Sequence, residues 1–329
     1  MDSWIHESGV VEKGKMDADQ QVIAQQSSES LQEAELPQGP GKEASPIETR
    51  PANGRILARM LRNRGAVVAA LLLALLALGA VLAPFLRTDP TAMNLGATSQ
   101  APSLHHLFGT DQFGRDIFIR VLYGGRTTLP MGVVAVALAS IVGIPLGLVV
   151  GYFEGWLDAV IMRVMDMMLA FPGLLLAMAV VAALGQGVTN VMIAVGISLI
   201  PSYVRLTRGT VLSAKQNDYV EAARALGAPT WKILAFHILP NMVAPLLVLV
   251  TVSAGWAIVI GATLNFLGLG VQYPTPEWGS DLNSGRDYFR EEWWLSTFPG
   301  IALMATVLCI NRVGDGLREV LDPGLRLER

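Results

Sequence analysis

The stretch Asn217–Asn241 reads NDYVEAARALGAPTWKILAFHILPN and lies between long apolar runs. Asp218 is placed to cap a helix, and Glu221 follows three positions later, the spacing of a capping box. Ala222, Ala223, Ala225 and Leu226 favour helix strongly. Gly227 suits the left-handed conformation that closes a helix, and Pro229 bars its continuation. Thr230 is placed to cap a second helix from Trp231 to about Leu239, and Pro240 is expected to break it before the next apolar run. The pattern predicts a short helix, a hard turn and a second helix leading back to the membrane. A chain does not need such a segment merely to cross a bilayer, so something outside the membrane is expected to grip it. The plainer alternative is an ordinary loop between two spans.

The surrounding composition is that of a polytopic membrane protein. Of 329 residues, 52% are hydrophobic and only 16% are charged, against roughly 25% charged in soluble domains. The formal net charge of −3 gives no electrostatic footprint for a nucleic-acid partner. The one cysteine, Cys309, lies in an apolar run, which excludes an internal disulfide framework or a cysteine metal cluster. Residues 1–52 are rich in Gln, Glu, Ser, Pro and Gly and are expected to form a disordered cytoplasmic tail. The first apolar run begins near Ala66, too far along for a cleaved signal peptide.

An all-α fold with six transmembrane helices is expected. The spans are read at Ala66–Phe85, about Thr128–Val150, about Ala159–Leu184 with a kink at Pro172, about Val188–Val204, about Val243–Ala262 and about Leu295–Ile310. Arg55, Arg59, Arg62 and Arg64 precede the first span and favour an inside N-terminus. Six crossings then place Arg205, Arg208, Lys215, Arg224 and Lys232 inside, together with Arg312, Arg318, Arg326 and Arg329. The outer loop 87–127 is a partial exception, with four arginines softened by Asp89, Asp111 and Asp116. In the second span Ala135, Ala139, Gly143, Gly147 and Gly151 recur every four residues. Such a smooth stripe permits close helix packing in lipid. Arg163 and Asp166 are three apart and are expected to face each other.

Two outer segments are read. In the first, Asp116–Tyr123 is expected to form a short amphipathic helix on the outer face. His105 and His106, with Asp111 and Asp116 after them, are a weak metal signal, and a solvated loop is the preferred reading. The second segment, about Thr263–Trp294, combines turn residues with Tyr273, Trp278, Tyr288, Phe289, Trp293 and Trp294. These aromatics suit an interfacial belt or a docking surface.

The segment 217–241 resembles the cytoplasmic coupling loop of ABC importer permeases. That family's pattern is Glu-Ala-Ala, a Gly six residues after the Glu, then an Ile, Leu, Pro element. Those positions are here Glu221, Ala222, Ala223, Gly227, Ile238, Leu239 and Pro240. GTDQFGRD at Gly109–Asp116, FLGLGVQYPTPEWG at Phe266–Gly279 and GDGLREVLDP at Gly314–Pro323 are similar to the second, C-type permease of the dipeptide, oligopeptide and nickel branch. The resemblance runs from about Arg59 to Pro323. Pro130 and the long N-terminal extension depart from the common form.

The resemblance implies a type I ABC importer permease fold, with a permease domain at 53–323 and a cytoplasmic C-terminal tail at 324–329. It implies a bacterial plasma (inner) membrane location with both termini cytoplasmic. The implied partners are a second homologous permease, one or two ABC ATPase subunits, an extracytoplasmic peptide-binding protein and a short peptide substrate. ATP and Mg would be bound by the ATPase subunits, since this chain has no GxxxxGK[ST] phosphate loop. No cofactor or metal is assigned to it, nor any nucleophile–base constellation.

By the same resemblance, Asp218, Glu221, Ala222, Ala223, Gly227, Ala228 and Pro240 are candidates for ATPase coupling. Glu221 would present charge, the alanines would permit close docking, and Gly227 would set the turn. Asp166, Met168, Phe171, Ser198 and Tyr203 are candidates for the translocation path, although Ser198 can equally bond to its own helix backbone. Nickel complexes, glutathione or another small solute remain alternative substrates. A secondary transporter would need mid-membrane carboxylates, and the spans show none.

Overall fold

The computed structural model describes residues 62–86 and 88–321, so the expected tails at 1–52 and 324–329 lie outside the described residues. The elements are α1 (Arg64–Leu82), α2 (Ile117–Phe153), α3 (Gly155–Leu169), α4 (Gly173–Leu184), α5 (Val188–Ala214), α6 (Asp218–Ala225), α7 (Thr230–Lys232), α8 (Leu239–Phe266), α9 (Trp278–Arg286) and α10 (Trp294–Leu321). A π-helical segment, Ile233–Ile238, joins α7 to α8 without interruption. No strand occurs among the described residues. Five helical runs are long and apolar enough to cross a membrane, and α3 with α4 form a sixth when the bent pair counts as one crossing.

Span boundaries differ from expectation wherever helices continue beyond the hydrocarbon. With the end of the bundle that carries α6 called inner and the opposite end, which carries α9, called outer, the amphipathic helix read at Asp116–Tyr123 is not a separate element. Asp116 caps α2 by accepting from the Ile119 N–H at 3.2 Å, and Ile117–Tyr123 are the first turns of that 37-residue helix. At 1.5 Å per residue α2 is about 55 Å long, well beyond the roughly 30 Å of bilayer hydrocarbon. Its outer turns are paired with protein instead of lipid, and Pro130 is accommodated inside it. Likewise α5 runs ten residues past Val204, to Ala214.

The kink at Pro172 is a 97° bend between α3 and α4. Proline cannot donate to the helical ladder, and the residue before it is steered away from helix. With 12 residues, α4 spans only about 18 Å. The amphipathic α3 must therefore cover the inner part of this crossing. Asp166 does not face Arg163. It pairs with Arg205 of α5 at 2.5 Å, because α3 lies along the inner end of α5. Asp158–Arg208 and Glu154–Lys215 repeat that connection.

The small-residue stripe is the centre of the packing. A Cβ added to Gly143 would lie 2.5 Å from Tyr203 Cβ, one on Gly147 would lie 2.5 Å from Thr207 Cβ, and one on Gly151 would lie 2.9 Å from Val211 Cβ. Gly196 on α5 returns the contact: a Cβ added there would lie 3.0 Å from the Ala135 carbonyl oxygen. Without a hydrophobic drive between helices in lipid, close backbone approach supplies the attraction. Val181, Val191, Val195 and Leu264 complete this core.

Candidate functional site: an inner platform, a half-cleft and an outer charged cluster

The inner platform is α6 with the turn that follows. Asp218 does not cap α6 and no capping box forms. The N-cap is Asn217, and no side chain caps the helix. Only residues 215–217 separate α5 from α6, and the Asn217 amide donates to the Ala214 carbonyl at 3.1 Å. The Asn217 carbonyl instead accepts from the Val220 and Glu221 N–H groups. Asp218 and Glu221 remain in the first turn, where negative charge suits the positive end of the helix.

The end of α6 is a complete Schellman closure. The Ala228 N–H donates to the Ala223 carbonyl at 3.1 Å and the Gly227 N–H to the Arg224 carbonyl at 3.0 Å. Gly227 has φ +75° and open space around its Cα, so its requirement is conformational and not steric. Thr230 does not cap α7: the N-cap is Pro229, with no side-chain bond. Nor does Pro240 break the chain. It stands at the start of α8, where the preceding π turn has already left the regular ladder, so the missing N–H breaks no regular bond.

One face of α6 points into the chain. Val220 and Ala223 pack with Val211, Ile233, Ile238 and Met242. Ala223 therefore faces inward, while Glu221, Ala222 and Leu226 stay exposed, Leu226 at 87%. Ala228 is half-buried beside the cluster and Pro240 is exposed.

The candidates for the path separate into three placements. Met168, Phe171 and Ser198 line one cleft of about 280 Å³, together with Ser202, Ser253 and Trp256. The Ser198 hydroxyl also donates to the Val195 carbonyl at 2.7 Å. Asp166 is held by Arg205 at the inner edge. Tyr203 is fully buried against the glycine stripe. Residues five apart on a helix are about 140° apart, so Ser198 and Tyr203 cannot share a face. Ser202, four from Ser198, does share it, and that spacing is the signal that could have found it.

The outer cluster was read only as motifs in the sequence, not as pairs. Arg120, 3% exposed on the outer part of α2, forms an ion pair with Asp281 of α9. It also donates to the Pro274 carbonyl at 3.1 Å. Asp111 accepts from Arg115 Nε at 2.7 Å and from the Phe113 and Arg115 N–H groups at 2.9 Å. Arg115 stacks on Tyr273, and the Trp294 indole donates to the Thr110 carbonyl at 3.1 Å. These bonds join 109–120 to 273–294 and make the two outer segments one body. His106 is engaged with Asp116 at 2.8 Å. Among the described residues no cluster of three His, Cys, Asp or Glu side chains could hold a metal.

Glu277 is fully buried at the N-cap of α9. Its Oε2 accepts from the Ser280 N–H at 2.8 Å and its Oε1 from the Thr128 hydroxyl at 2.9 Å. Burial raises its carboxyl to about 7, although these hydrogen bonds pull the other way. Asp281 is raised by the same desolvation, opposed by Arg120.

A bundle of five crossing helices and one bent pair, with a helix–turn–helix at one end, agrees with what the comparisons with known proteins show. Residues 143–327 match the family of binding-protein-dependent transport system inner membrane components, and residues 54–102 match the N-terminal transmembrane domain of oligopeptide transport permease C. The chain belongs to this family and is a multi-pass inner membrane protein. It is 44% identical, over 82% of its length and 92% of the relative's, to the probable D,D-dipeptide transport system permease protein DdpC of Escherichia coli K12. It is 43% identical, over 82% of its length and 88% of the relative's, to the dipeptide transport system permease protein DppC of Alkalihalophilus pseudofirmus. A glutathione transport system permease protein, GsiD of Escherichia coli O6:K15:H31, is 45% identical over 82% of this chain and 89% of its own.

Proposed function

We propose that the chain is one permease of an ATP-driven importer of short peptides, with both termini on the cytoplasmic side. The observation that carries this reading is the inner platform. An eight-residue helix is anchored through Val220 and Ala223, exposes Glu221, Ala222 and Leu226 around the rest of its surface, and is followed after one turn by a crossing helix. Such an element can receive a push from a soluble partner and pass it into the membrane. ATP and Mg would be bound by one or two ABC ATPase subunits, and this chain would be the non-catalytic part of the machine.

The cleft lined by Met168, Phe171, Ser198 and Trp256 is open on one side and would be completed by a second homologous permease. Its mixture of hydroxyls and apolar side chains suits a peptide, whose backbone needs hydrogen-bond partners and whose side chains vary. An extracytoplasmic binding protein would deliver the substrate to the rigid outer body, where Tyr288, Phe289 and Trp293 are exposed. Glutathione is the second reading, favoured by the similarity to GsiD.

The test is affinity purification from the native host, followed by reconstitution of the recovered complex into liposomes. Co-purification of a second permease and P-loop ATPases, with ATP-dependent uptake of a labelled dipeptide or tripeptide, is the expected result. A folded, transport-active protein that reproducibly lacks an ATPase would overturn the reading. Uptake of glutathione but not of other peptides would move the substrate assignment alone.

A further inference from the structure

The weakest mechanical point of the inner platform lies between the turn and the crossing helix. Through Ile233–Ile238 the backbone follows a π turn, and the Leu239 N–H reaches back five residues to the Leu234 carbonyl. Pro240 then contributes no N–H at all. A widened turn next to a missing donor has fewer regular bonds to resist bending than the helix on either side. A push on α6 would be absorbed there unless the joint is braced from outside the helix.

Asn241 supplies such a brace. Its side-chain amide has two N–H donors. One interaction goes to the His237 carbonyl at 2.7 Å, within the joint. The other goes to the Tyr219 hydroxyl at 3.2 Å, in the first turn of α6. A single carboxamide therefore ties α6 directly to the start of α8, bypassing the turn at Gly227. The apolar cluster of Val220, Ala223, Ile238 and Met242 holds the same two elements together, but apolar contacts are non-directional and permit sliding. The hydrogen bonds fix direction.

We propose that Asn241 is a positioning residue for energy coupling, acting with Tyr219 to transmit displacement of α6 into α8. This rests on the importer reading above. The role is separable from partner binding by experiment: Tyr219 shares the exposed side of α6 with Ala222 and Leu226, but Tyr219→Phe keeps the ring and leaves those side chains unchanged.

The experiment uses the complete reconstituted transport complex with a labelled dipeptide, and measures ATP hydrolysed per peptide taken up. Asn241→Ala removes both bonds. Tyr219→Phe removes only the bond between elements and keeps the ring, so it serves if the first variant does not assemble. Each is expected to raise ATP consumed per peptide by about fivefold, the effect of one ordinary hydrogen bond, with the ATPase content of the complex unchanged. The double variant is expected to be no worse than Asn241→Ala, as for two residues acting through one bond. Wild-type stoichiometry in an assembled Tyr219→Phe complex would overturn the proposal, as would strictly multiplicative effects in the double variant. Absence of ATP-driven uptake by the wild-type complex would instead be a failure of the importer reading, so the two failures are distinguishable.

Discussion

The outer and inner ends of the molecule solve opposite problems. At the outer end charge is buried and paired: Arg120 with Asp281, Arg115 with Asp111, and Glu277 folded into a helix cap. At the inner end charge is less deeply buried, with Asp158–Arg208 only partly covered. The pair Arg205–Asp166 is more than half exposed, and Glu221 and Asp218 have no described side-chain partner. Buried ion pairs contribute little net stability over apolar packing, but they punish any rearrangement that separates them. Exposed pairs are worth little and exchange readily. The outer end is thus a body that holds its shape, whereas the inner end keeps its surface available for another protein.

The largest effect that would break this contrast is at Asp281. Asp281→Ala leaves the Arg120 guanidinium buried without its anion, which costs roughly 3–5 kcal/mol. The expected result is a sharp loss of monodisperse protein and of melting temperature in detergent. At the inner end, Asp166→Ala should change melting temperature little. Equal losses at the two positions would remove the distinction.

A pH series is the next test. The Glu277 carboxyl is raised by burial from its ordinary 4.5 to about 7 in the folded protein. The folded state therefore holds its proton more tightly than the unfolded state does. This contribution is fully present below pH 4.5, is lost as pH rises towards 7, and is flat above. The total is about 3 kcal/mol at 1.36 kcal/mol per pH unit. Glu277→Gln has no proton to lose, and the Thr128 hydroxyl can turn to accept from the new amide. Its melting temperature should gain on wild type between pH 5 and pH 8. Parallel curves for the two proteins would show that Glu277 does not titrate in this window.

Gly227 should give a smaller, local effect. Valine at φ +75° costs roughly 1–3 kcal/mol in backbone strain, confined to the end of α6. Hydrogen exchange of the Gly227 and Ala228 region should accelerate, peptide uptake should fall, and the outer body should keep its protection. Normal transport by Gly227→Val would count against the turn's role.

How far the sequence discloses each end follows from the range of the interactions. The glycine stripe, the closing Gly227 and the bend at Pro172 are local rules, and each is found where the spacing placed it. Capping at Asp218 and Thr230 fails because tertiary neighbours intervene: Asn217 is engaged with the end of α5, and α7 continues into a π turn. Arg120–Asp281 joins residues 161 positions apart, and no periodicity within one helix announces it. Asp166 with Arg205 was missed for the same reason, since a local i,i+3 rule competed with a packing contact that only the bend of α3 creates.

The smallest expected effect on stability is the most informative about the inner surface. Leu226 is 87% exposed at the tip of the turn, where a large apolar side chain gains nothing from its own chain. Leu226→Ala should shift stability by less than about 0.5 kcal/mol, as for surface positions without special contacts. If an ATPase subunit covers it, the same change removes apolar burial worth about 1.5–3 kcal/mol, a weakening of roughly tenfold or more. Thermal melting of the purified permease and its affinity for the ATPase subunit, measured side by side, separate the two terms. A stability loss without an affinity loss would mean that Leu226 serves its own fold, and the inner end would then resemble the outer. Loss of affinity at unchanged melting temperature would place the partner's surface directly over the closing turn of α6.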